Sequence, residues 1–229
     1  NIVFTTRELQ PMGEDFGDTF HFVGPLIGVR ERQETVSTGK PALAAFGPES
    51  GSDGLVYIAL GTIFSRKAHA PRRLRGFYPA CVEVFRSSPY KVVISAGDWA
   101  GSLDPGPEEG NITIRERVPQ LEVLARADVF VTHGGMNSVH EALWFGVPMV
   151  LVPQQAEQEA VAARIEALGA GISLGRGPYR PAEIRRAVGR VRSEKSFRNA
   201  ARKLAKEMRA AGGVGVAVEV IERVGAAPR

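Results

Sequence analysis

Four short and almost continuously apolar runs, at 55–60, 91–95, 129–132 and 147–152, alternate along the chain with stretches of helical spacing at 77–86, 119–125, 136–145 and 156–168. Apolar runs this short suit strands buried on both faces, and strands that alternate with helices are joined by crossovers. Few folds satisfy both conditions. The pattern predicts an α/β chain whose Rossmann-like parallel sheet carries helices on both faces. Further strands are expected at 111–115 and 171–174. Three more helices follow, and Gly212-Gly213 sets off the last, at 214–224.

Punctuation sharpens several limits. Pro119 suits a first helical turn, and the 136–145 helix is bracketed by Gly134-Gly135 before it and Gly146-Val147-Pro148 after it. Residues 97–110 read as a loop. The first fifty residues are irregular, with two apolar runs, 1–6 and 20–27, separated by turn-rich polar sequence and followed by a charged stretch to Asp53. Residues 1–53 are therefore expected to be the end of a preceding half with its linker, and residues 54–229 the Rossmann-like domain. The opening Asn-Ile-Val-Phe-Thr-Thr reads like the interior of a longer protein, although a mature terminus can look the same.

With 229 residues, 44% of them hydrophobic, the chain can bury one sizeable core or two small ones. A lone cysteine, Cys81, rules out a disulfide framework and reads as a buried inert thiol rather than a reactive one, in keeping with a reducing, cytoplasmic location. No apolar run approaches the ~20 residues of a membrane span. The net charge of +4 raises the question of nucleic acid, with the densest basic stretch at 180–209. There Arg185, Arg186, Arg190, Arg192, Arg198, Arg202 and Arg209 alternate with Ile184, Ala187, Val188, Val191, Leu204 and Met208 at helical spacing. Such spacing describes the solvated face of amphipathic helices, and no aromatic interleaving or nucleic-acid-reading motif accompanies it.

The chemically expressive side chains concentrate in 118–158. A strand ending in His133-Gly134-Gly135, followed by a helix from about Met136, brings free N–H groups and the positive end of a helix dipole to one point. Such a point attracts phosphate. Asn137 and Ser138 add short donors, His133 adds a ring N–H, and the glycines allow close approach. Taken singly, Asn137 and Ser138 could equally be plain helix caps and His133 a satisfied core histidine. Glu141, one turn deeper on the face of Asn137, could accept from the two hydroxyls of a ribose, whereas His140 faces elsewhere and reads as surface. In the loop at 153–158, Glu157 and Gln158 could grip a polyol or simply start a helix. No zinc, P-loop or Gly-x-Ser-x-Gly motif occurs, so no metal is invoked.

At this point the residues resemble a family, the UDP-glycosyltransferases of GT-B architecture, particularly bacterial macrolide and natural-product glycosyltransferases. The resemblance covers roughly residues 20–222. Its anchors are Phe22-Val23-Gly24-Pro25, Leu60-Gly61-Thr62 and the box from Val118-Pro119-Gln120 to Glu157-Gln158. It implies the donor-binding, C-terminal half of an inverting hexosyltransferase that needs no cofactor and uses a UDP-sugar, possibly a dTDP-sugar. The Val118 backbone would then read the base, Gln120 and Glu141 would meet the ribose, and His133, Asn137 and Ser138 would hold the diphosphate. Gly135 would give the diphosphate room, Thr62 would close over it, and Glu157 and Gln158 would bond a hydroxyl-rich hexose such as glucose.

Arg117 stands where the family usually has a base-stacking Trp, and a guanidinium plane can stack as well. The resemblance places the catalytic histidine and its partner acid in an absent acceptor-binding half, so His21, His69 and His140 are not assigned that role. Two rivals remain. A non-catalytic subunit of a split glycosyltransferase would share every feature, and a nucleotide-sugar epimerase would need acid/base residues that are not found near the box. If a half is missing, an apolar, otherwise unburied face is expected on the final helix.

Overall fold

The computed structural model describes residues 1–27, 52–66, 68, 71–106 and 110–225. Most of the linker expected within 1–53 therefore lies outside the described residues, as does His69. Two parallel sheets are present. A small one pairs β1 (Ile2–Val3) with β2 (His21–Phe22). The large one contains β3 (Leu55–Ala59), β4 (Lys91–Ser95), β5 (Ile112–Arg115), β6 (Val129–Thr132), β7 (Met149–Leu151) and β8 (Gly171–Ser173), in the order β5-β4-β3-β6-β7-β8. Every pair in it is parallel, as the alternation predicts. The helices are α1 (Gly61–Phe64), α2 (Phe77–Phe85), α3 (Gln120–Leu124), α4 (Met136–Trp144), α5 (Ala156–Ala167), α6 (Pro181–Ser193), α7 (Lys195–Ala210) and α8 (Gly213–Gly225). A short 3-10 turn at Gly97–Ser102 interrupts the expected loop.

Two cores follow from the pleat, because alternate residues of each strand face opposite ways. Val56, Ile58, Val92, Ile94 and Val131 pack against Phe77, Cys81 and Phe85 of α2 and Ile184 and Val188 of α6. Leu55, Tyr57, Val93, Phe130 and Met149 pack against Val139 and Leu143 of α4, Val161 and Ile165 of α5, and Leu204 and Met208 of α7. Burial pushes the Cys81 thiol pKa up, as befits an inert core residue.

Residues 1–27 do not hang free of this body. Leu9 is buried in the second core, and the Glu8 carbonyl accepts from Arg164 Nε at 2.7 Å. The Gly213 N–H donates to Val23 O at 2.6 Å, which ties the start of α8 to the same segment. α8 buries Ala217 and Val220 and leaves Val214, Val218, Ile221 and Val224 exposed, the apolar face expected of it. Among the described residues no helix is long and apolar enough to cross a membrane.

Candidate functional site

The strand order reverses between β3 and β6, since β4 and β5 lie outward on one side of β3 while β7 and β8 continue beyond β6. Open α/β sheets bind ligands beyond the carboxyl ends of the strands flanking such a point. Here β3 runs out through Leu60 into α1, and β6 through His133-Gly134-Gly135 into α4. Between them opens a cleft of 660 Å³. Of the residues singled out from sequence, Thr62, Arg117, Val118, Gln120, His133, Gly135, Asn137, Ser138 and Glu157 line it. Glu141 and Gln158 do not, being 1% and 6% exposed.

Gly135 is the N-cap of α4, and no side chain caps that helix. Asn137, exposed, and Ser138, half-buried, are thus not spent as caps and stand on the cleft wall with the unpaired first-turn N–H groups. The first backbone bond into the helix runs from Val139 N to Gly135 O at 3.0 Å. An anion here meets the positive end of the dipole.

His133 is fitted into a slot made by missing side chains. A Cβ on Gly61 would stand 2.6 Å from His133 Cε1, and one on Gly135 would stand 2.5 Å from Nε2. Gly61 also has φ 72°, which a side chain rarely adopts. The room that Gly135 provides is therefore taken by the imidazole. The Phe64 ring meets the imidazole edge-on at 5.8 Å, and Thr132 Oγ1 lies 3.4 Å from Nδ1. Burial pushes the His133 pKa down to about 4, so at neutral pH the ring is uncharged and offers an anion one N–H.

Gln120 occupies the middle of a buried relay. Tyr57 Oη donates to Gln120 Oε1 at 3.0 Å, and Gln120 Nε2 donates to Glu141 Oε2 at 2.5 Å. The amide orientation is fixed by both partners, and Tyr57 is held in turn by stacking on Phe130 at 4.8 Å. Glu141, expected to meet a ribose directly, lies beneath Gln120.

Only residues 153–155 of the expected 153–158 loop precede α5, whose first turn holds both candidates and separates them. Glu157 is exposed on the cleft, while Gln158 Oε1 turns back to accept from Gln154 N in the preceding loop at 2.8 Å. Gln154 Nε2 donates to Val152 O at 2.7 Å and lies 2.6 Å from Tyr179 Oη. Gln158 thus fixes the loop that leads into the first turn of α5, from which Glu157 projects.

Tyr57, Arg66, Asp98 and Glu116 also line the cleft and were missed in the sequence. For Asp98 and Glu116 a signal existed, since each follows a strand end by one to three residues. His140 was expected at the surface and is buried, with Nε2 2.8 Å from Thr5 Oγ1, because residues 1–27 cover the back of α4. His21 lines a separate groove with Phe20 and Val220.

Comparison with known proteins agrees with this architecture. Residues 102–224 match the family described as erythromycin biosynthesis protein CIII-like, C-terminal domain. The chain is 37% identical over 225 residues to the NDP-glycosyltransferase YjiC of Bacillus subtilis (strain 168), covering 97% of this chain and 52% of that relative. It is 34% identical over 221 residues to the demethyllactenocin mycarosyltransferase of Streptomyces fradiae, covering 96% of this chain and 44% of the relative. Among solved structures, the glycotransferase of kitacinnamycin superposes with a TM-score of 0.79 at 34% identity, over 97% of this chain and 54% of the other. CalG4, the calicheamicin glycosyltransferase, does so with a TM-score of 0.75 at 30% identity, over 97% and 52%. The chain spans about half the length of the curated relatives it matches.

Proposed function

The chain belongs to the erythromycin biosynthesis protein CIII-like C-terminal domain family of natural-product glycosyltransferases, and from that premise we propose that its cleft binds a UDP-hexose for inverting transfer to a hydroxyl of a small-molecule acceptor. The observation that carries the reading is the convergence of Thr62, His133 and the uncapped start of α4 on one cleft at the sheet's reversal point. Gln120, held by Tyr57 and Glu141, offers a fixed amide one helix away for the ribose. Glu157, exposed on the cleft wall, would meet a sugar hydroxyl on this reading.

In the transfer, the acceptor oxygen attacks the anomeric carbon while the bond from that carbon to the β-phosphate oxygen breaks. Negative charge grows on the leaving UDP. The α4 amides, the neutral His133 N–H and the Thr62 hydroxyl oppose that charge with donors already in place, which lowers the barrier without reorganisation. On this reading the acceptor's proton goes to a base on the acceptor-binding half; neither His140, committed to Thr5, nor His21, which faces another groove, is placed to take it. The acceptor site and that base belong, on this reading, to a preceding half, with residues 1–53 as its end and linker. The exposed stripe of α8 supports such a partner.

Calorimetric titration with UDP, dTDP and UDP-glucose tests the reading. Binding of UDP and UDP-glucose is expected. A chain that binds none of the three overturns it.

A further inference from the structure

The arginines that the sequence presents as a solvated helix face do not all point into open water. Arg192 at the end of α6 and Lys195, Arg198 and Arg202 on α7 meet Arg126, which follows α3, around a cavity of 290 Å³. The cavity lies at the amino-terminal edge of the large sheet, where β3 and β6 begin, whereas the donor cleft lies where they end. We propose that this cavity binds a compact, multiply charged oxyanion of the phosphate class, inorganic diphosphate being the simplest example. The proposal is independent of the nucleotide-sugar reading.

The charge balance points to an anion. Among the lining residues one carboxylate, Asp128, faces five cationic side chains. That carboxylate is already committed, since Oδ2 accepts from Leu55 N at 2.9 Å. Its Oδ1 accepts from Arg198 Nη2 at 2.9 Å and lies 3.9 Å from Arg192 Nε. Arg126, Lys195 and Arg202 have no carboxylate partner among the described residues. The electrostatics agree: the Arg198 pKa is lowered first by burial, and Arg202 and Arg192 depress it further against the pull of Asp128. A bound anion relieves that repulsion.

Geometry limits what the anion can be. Arg198 is fixed, its Nη2 also donating to Asp128 O at 3.1 Å, and forms a rigid floor. Arg126, Lys195 and Arg202 are exposed and surround it from two different elements. At 290 Å³ the cavity falls at or below the ~300–1,000 Å³ typical of organic-ligand pockets, which favours a small, charge-dense ligand. Phosphate oxygens match guanidinium forks in geometry as well as charge.

The test is calorimetric titration of the chain with inorganic diphosphate at fixed ionic strength, with acetate at equal ionic strength as the comparison. The triple variant Arg126→Ala/Lys195→Ala/Arg202→Ala leaves the Asp128 bonds intact. It is expected to weaken diphosphate binding at least ~10-fold while its affinity for UDP stays unchanged. The single Arg202→Gln change should move affinity in the same direction by a smaller factor. A cleft variant, His133→Ala/Asn137→Ala, should retain a diphosphate site. Unchanged diphosphate affinity in the triple variant, loss of all diphosphate binding in the cleft variant, or acetate binding as tightly as diphosphate overturns the proposal. So does absence of binding by the unaltered chain.

Discussion

Gln120 Nε2 donates to Glu141 Oε2 at 2.5 Å, so the carboxylate that the sequence places on the ligand face of α4 holds an amide rather than lining the cleft. Removing it leaves the half-buried Gln120 with one side-chain partner and its amide free to reorient. Glu141→Ala should therefore cost about 1–3 kcal/mol of folding stability and weaken UDP binding roughly 10-fold. Chemical denaturation and calorimetry read the two effects. If UDP and dTDP bind with equal affinity to the unaltered chain, a ribose role for this pair is lost.

Tyr57 reaches Gln120 from the opposite side. Tyr57→Phe keeps the ring stacked on Phe130 and deletes the donor, so the expected loss is about 1 kcal/mol of stability with a UDP affinity lowered a few-fold. A UDP affinity equal to that of the unaltered chain would show that the orientation of Gln120 does not matter to the ligand.

Gly135→Ala places a methyl group 2.5 Å from His133 Nε2 with φ at an ordinary −63°, so any harm comes from the ring being displaced rather than from backbone strain. We expect UDP affinity to fall about as far as in His133→Ala, roughly 5–10-fold for one hydrogen bond, with stability lowered by about 1–3 kcal/mol. Imidazole NMR shifts report the displacement directly. An unmoved ring with normal UDP affinity contradicts the slot.

His133 and His140 both have pKa values pushed by burial from 6.5 to about 4. As pH falls through 6.5 the unfolded chain takes up protons that the folded chain refuses until about pH 4. Stability is thus complete above pH 6.5 and declines towards pH 4, by on the order of 3 kcal/mol for each ring at most. Urea denaturation at pH 7 and pH 4.5 measures the decline, and His140→Gln should shrink it. For UDP the sign reverses, because a diphosphate beside His133 would raise its pKa above the free value of about 4, so affinity should rise as pH falls through the raised value, with proton uptake on binding.

The exposed stripe of α8 can be tested separately from the cleft. Val218→Lys/Ile221→Lys should leave UDP affinity unchanged and reduce self-association of the isolated chain in analytical ultracentrifugation. A drop in UDP affinity would mean that α8 communicates with the cleft.

The large sheet was legible because its central strands are short, almost continuously apolar runs that alternate with stretches of helical spacing, and these are local signals. The strands came out as expected to within a residue or two, with β7 shorter than its apolar run because Val147 and Val152 lie in the core beyond its ends. The glycine-bracketed start of α4, which stands on the cleft wall, was legible for the same reason. What stayed hidden depends on distant partners. His140 becomes core through Thr5, 135 residues away, and Glu141 leaves the cleft surface through Gln120. Helical periodicity likewise separates Arg198 and Arg202 from apolar neighbours but cannot show Arg126 arriving from another element.

The Thr5–His140 contact has a mechanical consequence. One flank of α4 is clamped by the first residues of the chain, and its uncapped start stands on the wall of the cleft. A displacement of residues 1–27 would therefore reach the cleft wall through the Thr5 contact to α4 as well as the second core through Leu9 and the Arg164 bond to Glu8.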